Sequence, residues 1–303
     1  MNEPHLHRLL ELWSWLPAFR FVAETEHLPS ASDLLYTSPS ALSRTVKQLE
    51  QALGQQLFDR VGRRMVLNEA GRQLLGGVRR AMRYVDDVVQ DLQGEELRGE
   101  LRVVSATQLG TAWLLEAVPQ LREAHPELVL SLVPPSGPLV QSLLQGQIDL
   151  ALVEQPLRHA ELTLTRLGRG GSSVYCGRSH PLWGKASRKG TVLNDAALAK
   201  HEFVAPPEVG GAALDDWPAT RARRVGLRVD QVRVALQACL DGGFLAVLPD
   251  DVARAAVERK ELRALSGVKI PSSEVYALAR LALHPRDSAQ IAVETIRAVR
   301  ARS

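Results

Sequence analysis

The stretch Ser38-Pro39-Ser40-Ala41-Leu42-Ser43-Arg44-Thr45-Val46-Lys47-Gln48-Leu49-Glu50-Gln51-Ala52-Leu53-Gly54 carries two interleaved patterns. Leu42, Val46, Leu49 and Leu53 recur at helical steps and form one apolar stripe. Ser38 followed by Pro39 reads as an N-cap and a first helical position, and Gly54 as the stop. Away from the stripe, Ser40, Arg44, Lys47 and Gln51 repeat the same spacing, with Ser43 beside them. That face is polar, basic and small at its N-terminal end, as a helix entering the DNA major groove must be. A solvated face explains the spacing equally well, so the neighbouring segments have to decide.

Upstream, residues 11–53 keep a helical period broken at short polar turns. Pro17 is expected in the first turn of a helix running to about Glu26. Ser30 is expected to cap a short helix, SASDLLY, with Ala31, Leu34 and Leu35 facing inward, before a turn at Thr37. Two helices joined so tightly suggest a helix-turn-helix. Downstream, residues 59–67 (DRVGRRMVL) read as a hairpin with Gly62 in its turn and arginines at its tip, suited to lie along phosphates. Nine Lys and Arg lie between Arg44 and Arg83 against Glu50, Asp59 and Glu69, a local charge of +6. The whole chain, with 37 basic and 34 acidic residues, carries only +3, so the basicity is local and coincides with the motif.

A further helix is expected from an Asn68 cap to about Gln93. Leu75, Val78, Met82, Val85, Val89 and Leu92 alternate steps of three and four along it. So narrow a seam suits a dimerisation helix, with packing against its own chain as the alternative. The run GEELRGE, containing Gly94 and Gly99, then reads as a hinge.

From Leu101 the pattern alternates. Strands are expected at 101–104, 129–133 and 148–153, with helices at 110–124 and 139–145 between them, which implies a parallel sheet faced by helices. A second set has strands at 162–166, 174–176 and 202–204, a helix at 230–240 and a strand at 244–248. A last strand at 275–281 and a helix at 287–300 close the chain. Its 303 residues are about twice a usual domain, and two α/β lobes of about 100 residues fit the remainder. With 45% apolar and 23% charged residues, disorder, a collagen-like chain and a disulfide scaffold are excluded. Cys176 and Cys239 form no metal or redox motif and are expected as reduced thiols, in keeping with a cytoplasmic protein. The N-terminus lacks a signal-peptide pattern. Residues 128–148 carry no charge, but Pro134, Pro135 and Pro138 divide them, which argues against a membrane span.

Several of these segments together resemble LysR-type transcriptional regulators. The resemblance rests on SPSALSR at 38–44, QLEQALGQQLF at 48–58, the R-x-G-R-R wing and L-N-E-A-G. Further along, GELRVVSA, LREAHPEL, IDLALV and SHPL also match, so it covers nearly the whole chain. Ser32, where the second helix usually has an alanine, the extra residues 1–10 and the turn Asp241-Gly242-Gly243-Phe244 depart from the pattern. The resemblance implies a winged helix-turn-helix at 11–69, a dimerisation linker helix and hinge at 70–98, and an effector-binding domain at 99–303. That domain would be a two-lobed α/β fold similar to periplasmic binding proteins, with lobe one at 99–160 plus 278–303 and lobe two at 161–277. The implied partners are double-stranded DNA and copies of the chain itself, as a homodimer or homotetramer, with room for RNA polymerase; no membrane, metal or cofactor is implied.

Family-matching positions for DNA contact are Ser38, Pro39, Ser40, Ser43, Arg44 and Lys47, with Arg63 and Arg64 in the wing. Arg44 is long and bidentate enough to read guanine, whereas Lys47, Arg63 and Arg64 suit phosphates. Ligands of open α/β sheets bind beyond the carboxyl ends of strands. That rule selects Ser105, Ala106 and Thr107, then Pro135 and Ser136, then Glu154 and Gln155. Family matching adds Ala205 and Pro206, with the turn at Asp241–Gly243 a weaker candidate. No Lys or Arg is among them, so a small organic acid held by amides and hydroxyls, or a neutral ligand, is expected. An enzyme is the rival reading for an α/β chain, but GxSxG and a GxGxxG after the first strand are both missing. Gly177–Lys185 has the wrong glycine spacing for a phosphate loop, and His125 and His180 stand singly before prolines. A solute-binding protein is the other rival, disfavoured by the winged N-terminal third.

Overall fold

The computed structural model describes residues 3–61, 64–93, 97–186, 195–209, 212–213, 215, 217–218, 220–282 and 287–302. The N-terminal domain contains α1 (Glu3–Thr25), α2 (Leu28–Leu35), α3 (Pro39–Leu53), the hairpin β1 (Phe58–Val61) with β2 (Arg64–Leu67), and α4 (Glu69–Gln93). Leu42, Val46 and Leu49 of α3 are buried against Phe19 and Val22 of α1 and Ala31 of α2, so the apolar stripe faces the domain core. Ser38 caps α3 by accepting the Ala41 N–H at 3.2 Å, and Gly54 ends it in the left-handed region at φ +66°. Ser32 is tolerated at its buried position because its hydroxyl donates to the Thr37 carbonyl.

Two helix starts differ from expectation. α1 begins at Glu3, so Pro17 lies within it rather than in its first turn. The apolar and acidic residues before Pro17 favour helix strongly enough to carry it past one missing N–H. α2 begins at Leu28 with Pro29 in its first turn, which puts Ser30 inside the helix, where its hydroxyl meets His27 Nδ1 at 2.9 Å.

α4 is capped by Asn68, whose Oδ1 accepts the Gly71 N–H at 2.9 Å. Its apolar seam does not form one continuous surface. Leu75 and Val78 are buried in the core of their own N-terminal domain, and Met82 packs against it. Val85, Val89 and Leu92 are 47%, 42% and 82% exposed. The first two seam positions are therefore core residues and not available to a second chain.

The remaining elements, in chain order, are β3 (Gly99–Ser105), α5 (Gln108–Ala124), β4 (Leu128–Leu132), α6 (Leu139–Leu144), β5 (Leu150–Val153), β6 (Leu162–Gly170) and β7 (Ser172–Gly177). Then come α7 (Trp183–Ala186), α8 (Asp195–Leu198), β8 (Glu202–Ala205), β9 (Glu208–Val209), β10 (Ala212–Ala213) and β11 (Arg224–Arg228). The chain closes with α9 (Val232–Leu240), β12 (Leu245–Pro249), α10 (Asp250–Glu258), β13 (Leu262–Leu265), β14 (Ser273–Arg280) and α11 (Ser288–Arg302). Lobe one has the sheet order β4-β3-β5-β14-β6, and lobe two β11-β8-β12-β7-β13. Both sheets are mixed and not purely parallel: β14 runs antiparallel to β5 and β6, and β7 antiparallel to β12 and β13. The antiparallel strands are those that carry the chain between lobes, which a reading of successive βαβ units does not anticipate.

Strand alternation assigns each sheet face. In lobe two, Val174, Cys176, Phe203, Leu245 and Val247 face one core, while Tyr175, Val204, Ala246 and Leu248 face α9 and α10. Burial pushes the free thiols of Cys176 and Cys239 up to about 11 and about 12. His180 lies 4.8 Å from His201, and burial together with that neighbour lowers its pKa to about 4.

The crossovers fall at Gly170–Gly171, between β6 and β7, and between β13 and β14. Lobe one thus includes 162–170 and 273–280, and the expected breaks at 160/161 and 277/278 lie several residues from the real ones. A Cβ on Gly170 would lie 2.4 Å from Leu109 Cδ2, and one on Gly171 2.8 Å from Asp250 Oδ2. A side chain at either position would have to displace Leu109 of lobe one or Asp250 of lobe two, which close in on the connecting strand from either side.

Candidate nucleic-acid interface and effector cleft

With its apolar stripe buried, α3 presents Ser40, Arg44, Lys47 and Gln51 to solvent, with Ser43 partly covered and Ser38 and Pro39 exposed at its start. Ser38 Oγ lies 3.1 Å from Ser40 Oγ, so two hydroxyls and the first-turn amides are grouped at one helix end. The hairpin strands pair from Phe58↔Leu67 to Val61↔Arg64, and Arg64 is exposed. Gly62 and Arg63, expected at the wing tip, lie outside the described residues. Glu50, the acid on α3, is turned inward and accepts the Leu57 N–H at 2.8 Å, which removes a carboxylate from the outer face. Tyr36 was not singled out by the sequence. It is 98% exposed in the turn between α2 and α3, at a left-handed φ of 50°.

The local charge of +6 is not one surface. Arg72 bonds Glu69 and the Leu67 carbonyl, and Arg79 pairs with Glu24 at 2.8 Å. Arg80 donates to the Leu144 carbonyl at the C-terminal end of α6, where a cation is favoured. Arg83 reaches Asp149 at the start of β5. Asp149 is almost wholly buried and is also met by Arg102 at 3.5 Å and Arg280 at 3.2 Å, while Oδ2 accepts the Arg102 backbone N–H at 2.9 Å. Burial alone would raise the Asp149 pKa, but Arg83, Arg102 and Arg280 outweigh it and hold the carboxyl below its ordinary value. Gly76 completes this contact: a Cβ there would lie 2.8 Å from Gln145 Cα. The stretch of α4 from Gly76 to Arg83 is thus docked on lobe one, and Arg80 and Arg83 serve that contact.

The carboxyl ends of β3 and β5, the end of β6 and the starts of β7 and β14 converge between the lobes. The space there is lined by Gln108, Leu109, Glu154, Ser172, Val247 and Ser273, among others, and measures about 20 Å³, room for about one water. Of the sequence-selected residues only Glu154 lines it directly. Thr107 is buried and donates to Glu154, and the Ser105 hydroxyl donates to the Thr107 carbonyl at 2.9 Å, so this pair positions Glu154. Ala106, Pro135 and Gln155 are exposed, while Ala205 and Pro206 are buried, with the Ala205 carbonyl taken by the Val229 N–H at 3.0 Å. Ser136 instead lines an open hollow with Ala23, Glu26 and Arg79 of the N-terminal domain. The Asp241–Gly243 turn is also misplaced. Parallel pairing puts the start of β12 at the opposite end of the sheet from Ala205, and a Cβ on Gly242 would lie 2.8 Å from Ser179 Cβ.

Ser172 and Ser273, missed by the sequence reading, flank the two crossovers. Ending β6 at Arg166 hid the first of these, although Gly170-Gly171 before two serines was a readable break. Behind the cleft, the lobes are tied by Asp251 at the start of α10. Its Oδ2 accepts Trp113 Nε1–H at 2.7 Å and lies 3.1 Å from Arg300, whose guanidinium stacks 4.2 Å over the Trp113 ring. Among the described residues no group of three or more His, Cys, Asp or Glu could hold a metal, and no helix is long and apolar enough to cross a membrane.

Residues 13–72 match the family model for the bacterial regulatory helix-turn-helix protein of the lysR family, and residues 94–301 that for the LysR substrate binding domain. The chain is 28% identical over 271 residues to the RuBisCO operon transcriptional regulator of Allochromatium vinosum, covering 87% of each. ArgP from Mycobacterium tuberculosis superposes with a TM-score of 0.69 at 17% identity, over 94% of this chain and 96% of that one. The full-length LysG of Corynebacterium glutamicum with bound effector Arg gives 0.65 at 18% identity, over 95% and 97%.

Proposed function

The chain belongs to the LysR family of transcriptional regulators, and from that premise we propose how its parts divide the work. The α3 face reads operator DNA: Arg44 contacts a base edge in the major groove, while Ser38, Ser40, Ser43, Lys47, Arg63 and Arg64 hold phosphates, with Pro39 fixing the helix start. Two copies associate through the exposed half of α4, Val85, Val89 and Leu92, and place two recognition helices on one operator, with further pairing to a tetramer. A small molecule enters between the lobes beside Glu154, Ser172 and Ser273 and changes lobe closure. Because α4 is fixed to lobe one through Arg80, Arg83 and Gly76, movement of that lobe carries the helix and alters recognition-helix spacing.

The observation that carries the DNA reading is the exposure of Arg44 and Lys47 opposite a stripe buried in the domain core. In gel-shift titrations, Arg44→Ala should lose about 1–3 kcal/mol on the operator and much less on random DNA. Arg64→Ala should weaken both alike and flatten the salt dependence. Equal losses on both DNAs for Arg44→Ala would remove the base-reading role.

A further inference from the structure

On the outer face of lobe one, β6 breaks its ladder with β14. Val275 pairs with Gly168 and Tyr276 with Arg166, so Leu167 is an extra residue in a bulge. Residues three apart on a regular strand point to opposite faces. Here the bulge re-aims them, and both Arg166 and Arg169 reach the same oxygen of Glu274, at 2.9 and 3.2 Å. Opposite them, Arg297 and Arg300 stand one turn apart on α11, and the four arginines line one hollow of about 520 Å³. That size lies within the range of small-molecule sites.

The charges around this hollow do not balance. Glu274 is shared by two arginines, and its other oxygen is taken by the Tyr276 hydroxyl at 2.5 Å. Arg297 has no ion-pair partner among the described residues. Arg300 is held from behind by Asp251 at 3.1 Å, with Glu116 at 3.8 Å, and Asp251 is itself shared with Arg254. Like charges gathered on a helix face and a bulged strand repel one another, and a bound anion would offset that repulsion.

We propose that this hollow is a second ligand site, separate from the interlobe cleft, that takes a small molecule bearing two or more anionic oxygen groups. Phosphate esters and polycarboxylates share that chemistry. Arg300 connects the site to the Asp251–Trp113 contact between lobes, with its Nη1 buried on the Asp251 side. The site stands whether or not an effector occupies the cleft.

The test is calorimetric titration of the full-length protein, without DNA, with inorganic pyrophosphate and separately with citrate at constant ionic strength. Saturable uptake of one ligand per chain is expected for at least one of them, and the stronger binder identifies the ligand type. The double variant Arg169→Ala/Arg297→Ala should weaken it by about tenfold or more, and Arg297→Gln alone by a smaller factor. Arg233→Ala, an exposed arginine on lobe two, should leave it unchanged. The substituted arginines are exposed, so the variants should keep the parent's melting temperature without ligand. No saturable uptake of either anion, or unchanged affinity in the double variant, would overturn the proposal. So would loss of DNA binding in that variant with no anion uptake by the parent, which would assign these arginines to DNA.

Discussion

The two halves of α4 share one sequence pattern and have different surroundings. In the first half, Leu75 and Val78 are buried in their own domain, and Arg80 and Arg83 reach across to lobe one. In the second half, Val85, Val89 and Leu92 continue the same spacing into solvent. Periodicity states only that an apolar stripe has to be covered. What covers it depends on which other elements the fold brings alongside.

The largest effect that would sharpen this contrast is expected at the docked half. Asp149→Ala leaves the Arg83, Arg102 and Arg280 guanidiniums facing a buried void and should cost about 3–5 kcal/mol in denaturant unfolding. The native pKa of Asp149 lies below its ordinary 3.8. Its contribution is therefore complete above that value and is lost as pH falls through the native pKa. The parent should thus lose stability in acid by a step that Asp149→Ala lacks. Identical acid profiles for the two proteins would break the assignment.

Leu75→Ala should cost about 2–5 kcal/mol by opening a cavity, with a loss that does not depend on protein concentration. Val89→Asp should hardly change the stability of a single chain. In sedimentation it should instead convert the assembly to monomer. If the two variants behaved alike in both measurements, the halves of α4 would not differ as described.

The smallest pair tests the docking itself. Gly77 has open space around it, so Gly77→Ala should stabilise by about 0.5–1 kcal/mol through helix propensity. At Gly76 the new methyl group meets the Gln145 backbone, and Gly76→Ala should reverse that sign. It should also raise amide exchange in 143–149 while leaving α3 protected. A gain in stability from both substitutions would mean that α4 is not held against lobe one.

The recognition helix was legible because its determinants are local. A serine cap, a stop glycine and one apolar stripe within 17 residues define both faces without reference to the rest of the chain. The cleft was less legible because it is assembled from strand ends far apart in sequence. Glu154 was found through its place after a strand, whereas Ser172 and Ser273 depend on where the chain crosses between lobes. Ser105 and Thr107 were selected for contact, and the Ser105 hydroxyl is instead spent on the Thr107 carbonyl and the Thr107 hydroxyl on Glu154.

By itself, then, the sequence determined the helix-turn-helix, the two-lobed plan and the outward face of α3 through spacing and local chemistry, and the family through the resemblance of its motifs. Only the tertiary structure decided the destination of the basic residues between Arg44 and Arg83. Arg44, Lys47 and Arg64 remain outside, while Arg72, Arg79, Arg80 and Arg83 are used within the chain. Charge in a sequence has a sign and a position but no direction. The direction came from Asp149 and the α6 carbonyls, more than sixty residues away and brought against α4 by folding.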